Sequence, residues 1–241
     1  MHVVNRLKQM SSKKTRFVIT ILALFICTGA MSQSTKHLFL PHYDEKKIHY
    51  GFHLSVNHSS FRAVHSDWFL QNDTIAYLRG NGQSGFGLGF IFNFRLFEYG
   101  DFRFLPTVAF YNRSIEYGVK GVDDKVDALF QSSYVNLPFL FKYKAKRRSN
   151  ARVYMVGGMN FGFQVGSKKK ENSDDQLLLK SYDVSLEYGV GMDMYQEYFK
   201  FAPELRFSLG LTNLLEPTDN IYSRPLDKLT SYTVTLYLMF E

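Results

Sequence analysis

The stretch Ser84–Phe97, SGFGLGFIFNFRLF, sets Phe86, Leu88, Phe90, Phe92, Phe94 and Leu96 at every second position, with Gly85, Gly87, Gly89, Ile91, Asn93 and Arg95 between them. Successive side chains of a strand point to opposite sides, so one face is large and apolar while the other is glycine-rich and then polar. A helix would mix the two sets. Alternation alone leaves open which face is inside: a soluble sandwich or barrel turns its apolar face inward, a membrane barrel turns it out to lipid.

The remainder of the chain decides between them. With 241 residues and no Pro-, Gly- or Ser-rich linker, one large all-β domain is the simplest organisation. The chain has 23 Phe and 16 Tyr against a single Trp, Trp68, an aromatic load that suits alternating strands better than buried helices.

At the N-terminus Arg6, Lys8, Lys13, Lys14 and Arg16 precede the apolar run FVITILALFICTGA (Phe17–Ala30), after which Ala30 and Ser32 stand at signal-peptidase spacing. Residues 1–32 read as a secretory signal peptide, because about 14 apolar residues fall short of the roughly 20 that span a bilayer. This segment carries five of the 29 basic residues and none of the 22 acidic ones, so without it the formal charge falls from +7 to +2. The high basicity is therefore mostly export signal, and no nucleic-acid partner is expected. The only cysteine, Cys27, leaves with it, and Ile26 before it is too large for a lipoprotein acceptor site.

Eight period-two segments follow, near residues 48–57, 84–97, 102–113, 134–143, 151–164, 183–194, 199–212 and 232–240. Short connections at Glu98–Asp101, Lys144–Asn150 and Tyr195–Glu197 alternate with separations of roughly 26, 20, 17 and 19 residues, the pattern of tight turns on one side and long loops on the other. The expected fold is all-β: an eight-stranded antiparallel transmembrane β-barrel of outer-membrane type over residues 48–241, preceded by a periplasmic segment 33–47, with both termini periplasmic. The stretch TIAYLRG in the first long loop keeps ten strands open.

The polar faces settle which side meets lipid. They collect Arg95, Arg103, Arg113, Lys142, Arg152, Lys200 and Arg206 with Asp183, Glu187, Asp193 and Glu204, a set too costly to place in hydrocarbon. In a narrow lumen the charges pair, and Gly85, Gly87 and Gly89 leave room for large neighbours. Phe86 to Leu96 then face lipid, and Tyr99, Phe102, Tyr143, Tyr195 and Tyr198 form an interfacial girdle at the short-turn end. Pro106, Pro138 and Pro203 each remove a ladder donor, so bulges or less regular pairing are expected there.

Chemistry-bearing motifs are sparse. His49 and His53 share the polar face but stand about 13 Å apart along a strand, too far to share a metal without further ligands. His58 with Ser60 could mimic a lipid-hydrolysing pair, yet no acidic partner or oxyanion donor is assignable. GFGLGF has no following helix and is no phosphate loop. The reading is of a non-enzyme without metal, cofactor or small-molecule substrate, and an eight-stranded lumen filled by side chains is too narrow for a general pore.

Three stretches, LPHYDEKKIHYGFHLSVNHSSF, FRFLPTVAFYNRSIEYG and SSYVNLPFLFKYKAKRRSNARVYMVGGMNFGFQVGSKKK, together with the last strand, resemble the PorT (SprT) family of outer-membrane proteins in the type IX secretion system of Bacteroidota. The resemblance implies a role in exporting proteins with a C-terminal sorting domain, including secreted proteases and gliding adhesins. It implies other secretion components and cargo as partners, beside outer-membrane lipid. It brings no defined functional residues. If Ser34–Lys47 binds a partner, Phe39, Leu40 and Tyr43 are its apolar anchors and Asp44, Glu45, Lys46 and Lys47 tune the encounter; otherwise it plugs the barrel or simply links. A generic structural or adhesion barrel and a lipid-modifying enzyme are the rival functions.

Overall fold

The computed structural model describes residues 38–65, 75–119, 126–166, 179–216 and 226–241; the expected signal peptide and Trp68 lie outside them. Nine strand segments form one antiparallel sheet: β1 (Ile48–His65), β2 (Ile75–Phe97), β3 (Gly100–Phe104), β4 (Thr107–Val119), β5 (Val126–Lys144), β6 (Ala151–Val165), β7 (Tyr182–Tyr195), β8 (Lys200–Gly210) and β9 (Leu226–Phe240). β9 returns to β1, with Phe52 opposite Phe240 and Ser60 opposite Tyr232, so the sheet closes into a barrel. β3 and β4 both lie between β2 and β5, which makes them one stave broken at Leu105–Pro106 and gives the barrel eight staves. The stretch from Ile75 to Gly80 forms the outer part of β2 and pairs with β4 from Ile75 opposite Val119 onward, so among the described residues it is no separate strand.

The prolines act as ladder interruptions rather than bulges. Pro106 sits in the broken stave, and Pro138 lies opposite the break, where its carbonyl accepts the Leu105 N–H at 3.3 Å. Pro203 keeps its pairing with Leu238 of β9, while the β7–β8 ladder lapses between Glu204 and Phe201 and resumes in the same register. The register shifts fall elsewhere, at Val64/His65, Arg95/Phe97, Ile75/Tyr77 and Gly82/Phe86.

The alternation sorts as the membrane requires. In β2, Phe90 is 65% exposed on the outer surface while Ile91 and Asn93, at 0% and 1%, are inside. The outward apolar band runs from Ile48 to Val56 on β1, Phe86 to Leu96 on β2 and Tyr232 to Phe240 on β9, the roughly 9–11 residues that cross a hydrocarbon core. Outward rings stack across neighbouring strands, as in Phe52–Phe240 at 5.2 Å and Phe104–Phe139 at 4.9 Å. Above the band, β1 turns His58 and Arg62 outward, so strands of 18 and 23 residues overshoot the lipid, and part of what the sequence assigns to long loops is sheet.

Inside, the lumen is not uniformly polar. Ile91, Leu105, Leu140, Val156, Ala202 and Met239 pack with Tyr154 and Tyr237 in an apolar cluster between the charged side chains. A second cluster of Phe61, Leu214, Leu226 and Leu229 lies at the long-connection end. Glycine admits the close approach of β2 and β4: a Cβ on Gly85 would overlap the Phe110 carbonyl oxygen and lie 2.8 Å from Asn57 Oδ1.

Candidate functional site

The lumen's buried charges are linked stave to stave. Asp193 on β7 accepts from Lys142 Nζ on β5 at 2.7 and 2.8 Å and from Arg152 Nε on β6 at 2.9 Å. Beside it Asp101 accepts from Lys144 Nζ at 2.6 Å and from Asn93 at 3.0 Å. Glu241 accepts from Lys200 at 2.7 Å and from Arg103 at 3.3 Å. Arg103 also donates to Glu204 at 2.9 Å, Glu204 accepts from Arg206, and Arg206 reaches Glu187 at 3.0 Å. An isolated charge buried here would be prohibitive; mutual pairing with saturated donors makes the set tolerable.

Of the residues the sequence assigns to the inner face, Arg103, Lys142, Arg152, Glu187, Asp193, Lys200, Glu204 and Arg206 meet in this network. Asp183 stands apart, toward the long-connection end, accepting from Ser231 Oγ at 2.5 Å. Arg95 is half-buried at the short-turn mouth and donates to the Asp44 carbonyl. The sequence reading misses Asp101, Lys144 and Glu241 because it assigns the first two to turns and ends the last strand before the third. Inward parity would have found them, since Asp101 precedes Arg103 by two and Lys144 follows Lys142 by two. The same parity corrects Tyr195, expected in the outer girdle: two residues after Asp193, it is 1% exposed and points inside, whereas Tyr143 and Tyr198 are exposed.

A strap of residues 38–47 closes the short-turn mouth. Its centre is a one-turn 3-10 helix, Tyr43–Glu45, preceded by Leu40 at φ 50°, a left-handed conformation that costs an L residue about 1–2 kcal/mol. The Asp44 carboxylate accepts from Arg152 Nη2 at 2.9 Å and from the Tyr195 hydroxyl at 3.0 Å. Burial alone would raise the Asp44 carboxyl, but Arg152, the Tyr195 hydroxyl and Lys144 hold it below the ordinary carboxylate range. Arg147 donates to the carbonyls of Phe39 and Leu40, lies 3.6 Å from the centre of the Tyr195 ring, and Asn150 Oδ1 accepts the Phe39 N–H at 2.9 Å.

Tyr43, expected as a partner anchor, is instead seated in the mouth. Its ring stacks on His49 at 4.2 Å, its hydroxyl donates to Glu241 at 3.2 Å, and its carbonyl accepts from His49 Nε2 at 2.7 Å. Burial first, and then the Glu241 charge, push its hydroxyl pKa up, so it stays neutral. Leu38 and Phe39 remain exposed and Leu40 half-buried. The described part of the segment thus plugs the barrel end.

Toward the opposite end residues 211–216 cap an apolar cluster in which Leu214 packs on Phe61, Leu226 and Leu229. Beneath that cap a polar cavity with room for about one water is lined by Arg113, Asn136, Asn160, Asp183, Ser185 and Ser231, among others. His49 and His53 hydrogen-bond separately, to the Tyr43 carbonyl and to Thr107 Oγ1 at 3.1 Å, and among the described residues no group of three His, Cys, Asp or Glu is arranged to hold a metal ion. His58 and Ser60 lie on the outward face of β1, on either side of inward Ser59.

A closed antiparallel barrel, apolar outside and charged within, describes a membrane-embedded β protein. The family model of the outer membrane protein beta-barrel domain matches residues 31–216. The chain belongs to this outer-membrane β-barrel family. It is an outer-membrane barrel. No curated protein matches it. Among solved structures it is similar to OprG of Pseudomonas aeruginosa, at 14% identity and TM-score 0.44, over 79% of this chain and 93% of that one. It is also similar to Ail of Yersinia pestis, at 13% identity and TM-score 0.36, over 81% and 99%. The translocator domain of the autotransporter NalP from Neisseria meningitidis matches at 8% identity and TM-score 0.35, over 96% and 98%. These likenesses concern the barrel alone and carry no argument about function.

Proposed function

We propose that this outer-membrane barrel is a non-catalytic component of type IX protein secretion, related to PorT, that serves the export of sorting-domain cargo through protein contacts. The observation that carries the reading is where the resembling stretches fall. One supplies most of the strap and the start of β1, including Asp44; another supplies most of β5, the turn after it and β6, with Arg147, Asn150 and Arg152 that hold the strap. The lumen, packed with paired charges and with the strap seated in its short-turn mouth, supports work through surfaces rather than conduction. In this reading the short turns, the strap and both termini face the periplasm and the long connections face outward. The partners are other secretion components and cargo, with no nucleic acid or small-molecule substrate.

The test is to delete the gene and measure sorting-domain cargo outside the cell and in the periplasm, with the other secretion components checked for normal abundance. Cargo trapped in the periplasm is the expected result. Unchanged secretion would remove this reading and leave a generic structural or adhesion barrel. The non-catalytic part is tested separately: replacing His58 and Ser60 by Ala leaves lipopolysaccharide acylation unchanged, and an altered lipid profile would favour a lipid-modifying enzyme.

A further inference from the structure

The strap and the mouth it closes differ in how firmly they are built. Arg152 and Tyr195 project from β6 and β7 and are buried, and Arg152 has a second partner outside the strap, Asp193 at 2.9 Å. The strap itself buries no residue fully in its turn and is held by hydrogen bonds, one carboxylate and one stacked ring. Half-exposed polar contacts of this kind are individually weak. Charge points the same way. Among the described residues the strands carry seven buried Lys or Arg and five buried Asp or Glu, and the imbalance is met by the Glu241 carboxylate and by Asp44 of the strap. The mouth is thus a rigid cationic socket whose acidic occupant is replaceable.

We infer that this socket is a peptide-binding site, filled in cis by residues 38–47, that accepts in trans a protein segment presenting, on a tight turn, an aromatic residue followed by aspartate. Each contact reads such a segment. Arg152 and the Tyr195 hydroxyl take the carboxylate, the His49 ring takes the aromatic face, and Arg147 with Asn150 takes the preceding backbone. The inference is independent of the secretion reading, since it is a property of the isolated barrel.

The test uses the full chain. In a Tyr43→Ala, Asp44→Asn variant the strap loses its carboxylate and its ring, and a fluorescent peptide of residues 38–47, LFLPHYDEKK, is titrated against it with heat-modifiable electrophoresis as the fold check. In parallel, Cys27→Ser with Phe39→Cys gives a single site for a nitroxide on the native strap, because Cys27 is the only cysteine. The peptide binds the released variant, and a peptide with Asn for Asp44 binds about tenfold more weakly or worse. The cis strap competes at an effective concentration on the order of millimolar, so peptide above that level mobilises the label on the native strap. Failure to bind a folded, strap-released barrel overturns the inference, as does equal binding of the two peptides. If the double variant does not fold, absence of label mobilisation at about 10 mM peptide overturns it.

Discussion

Replacing Asp193 by Asn removes the negative charge on which three lumen cations converge. Its carboxylate stands 2.7 Å from Lys142 Nζ, 2.9 Å from Arg152 Nε and 3.9 Å from Lys200 Nζ, with its side chain wholly buried. Arg152 retains Asp44 and Lys200 retains Glu241. Lys142 is left without a carboxylate partner, facing a neutral amide and the Tyr154 ring, 3.7 Å from its ammonium. Stranding one buried charge costs about 3–5 kcal/mol, whereas replacing both partners of a buried pair by apolar groups of similar volume is close to neutral. Asp193→Asn is therefore expected to lose about 3–5 kcal/mol, and Lys142→Met added to it to restore most of that loss. Equilibrium urea unfolding in lipid vesicles, followed by tryptophan fluorescence and heat-modifiable mobility, measures both. A single variant within about 1 kcal/mol of the parent, or a double variant no better than the single, would refute the reasoning that the charge rather than the shape of Asp193 holds the network.

Other sites give independent outcomes. Phe90→Arg places a cation in the middle of the lipid-facing band and should destabilise the barrel by about 2–4 kcal/mol in the same unfolding assay, while its neighbours on the inner face keep their contacts. Gly85→Ala forces a methyl onto the Phe110 carbonyl and should cost about 1–3 kcal/mol or reduce the folded fraction on electrophoresis. The Asp44 carboxyl titrates below its unfolded value, so its contribution is present above about pH 4 and is lost as pH falls through the folded value. A nitroxide at residue 39 should accordingly stay immobilised at neutral pH and gain mobility only in that acid range.

The outer surface was legible in the sequence because lipid imposes a single rule on every stave: Phe86 to Leu96 cannot alternate and be anything but a two-faced strand. Broken elements were harder. Pro106 marks the interruption correctly, but Pro138 and Pro203 sit inside strands that keep register, because a strand with two partners in a closed sheet tolerates the loss of one donor. The extension of β2 back to Ile75 reads in the sequence as an extra strand, because a register shift between Gly82 and Phe86 interrupts the alternation that would join it to Ser84–Phe97. Turn residues hid the rest of the lumen. Asp101, Lys144 and Tyr195 adjoin short connections, where polarity and aromatic character each have an ordinary surface explanation. The strap has no period at all: its fit depends on Arg147, Arg152 and Tyr195, more than 100 residues away, a pairing only the closed sheet brings about.

The paired charges that fill the lumen leave no room for a general pore. The direct measurement is the conductance of the purified full-length protein in planar lipid bilayers at neutral pH. A lumen crossed by the Asp193 and Glu204 networks, with Asp44 of the strap in one mouth and the Leu214 cluster toward the other, predicts insertion without stable conductance steps. Reproducible, long-lived ohmic openings from the unaltered protein would contradict it.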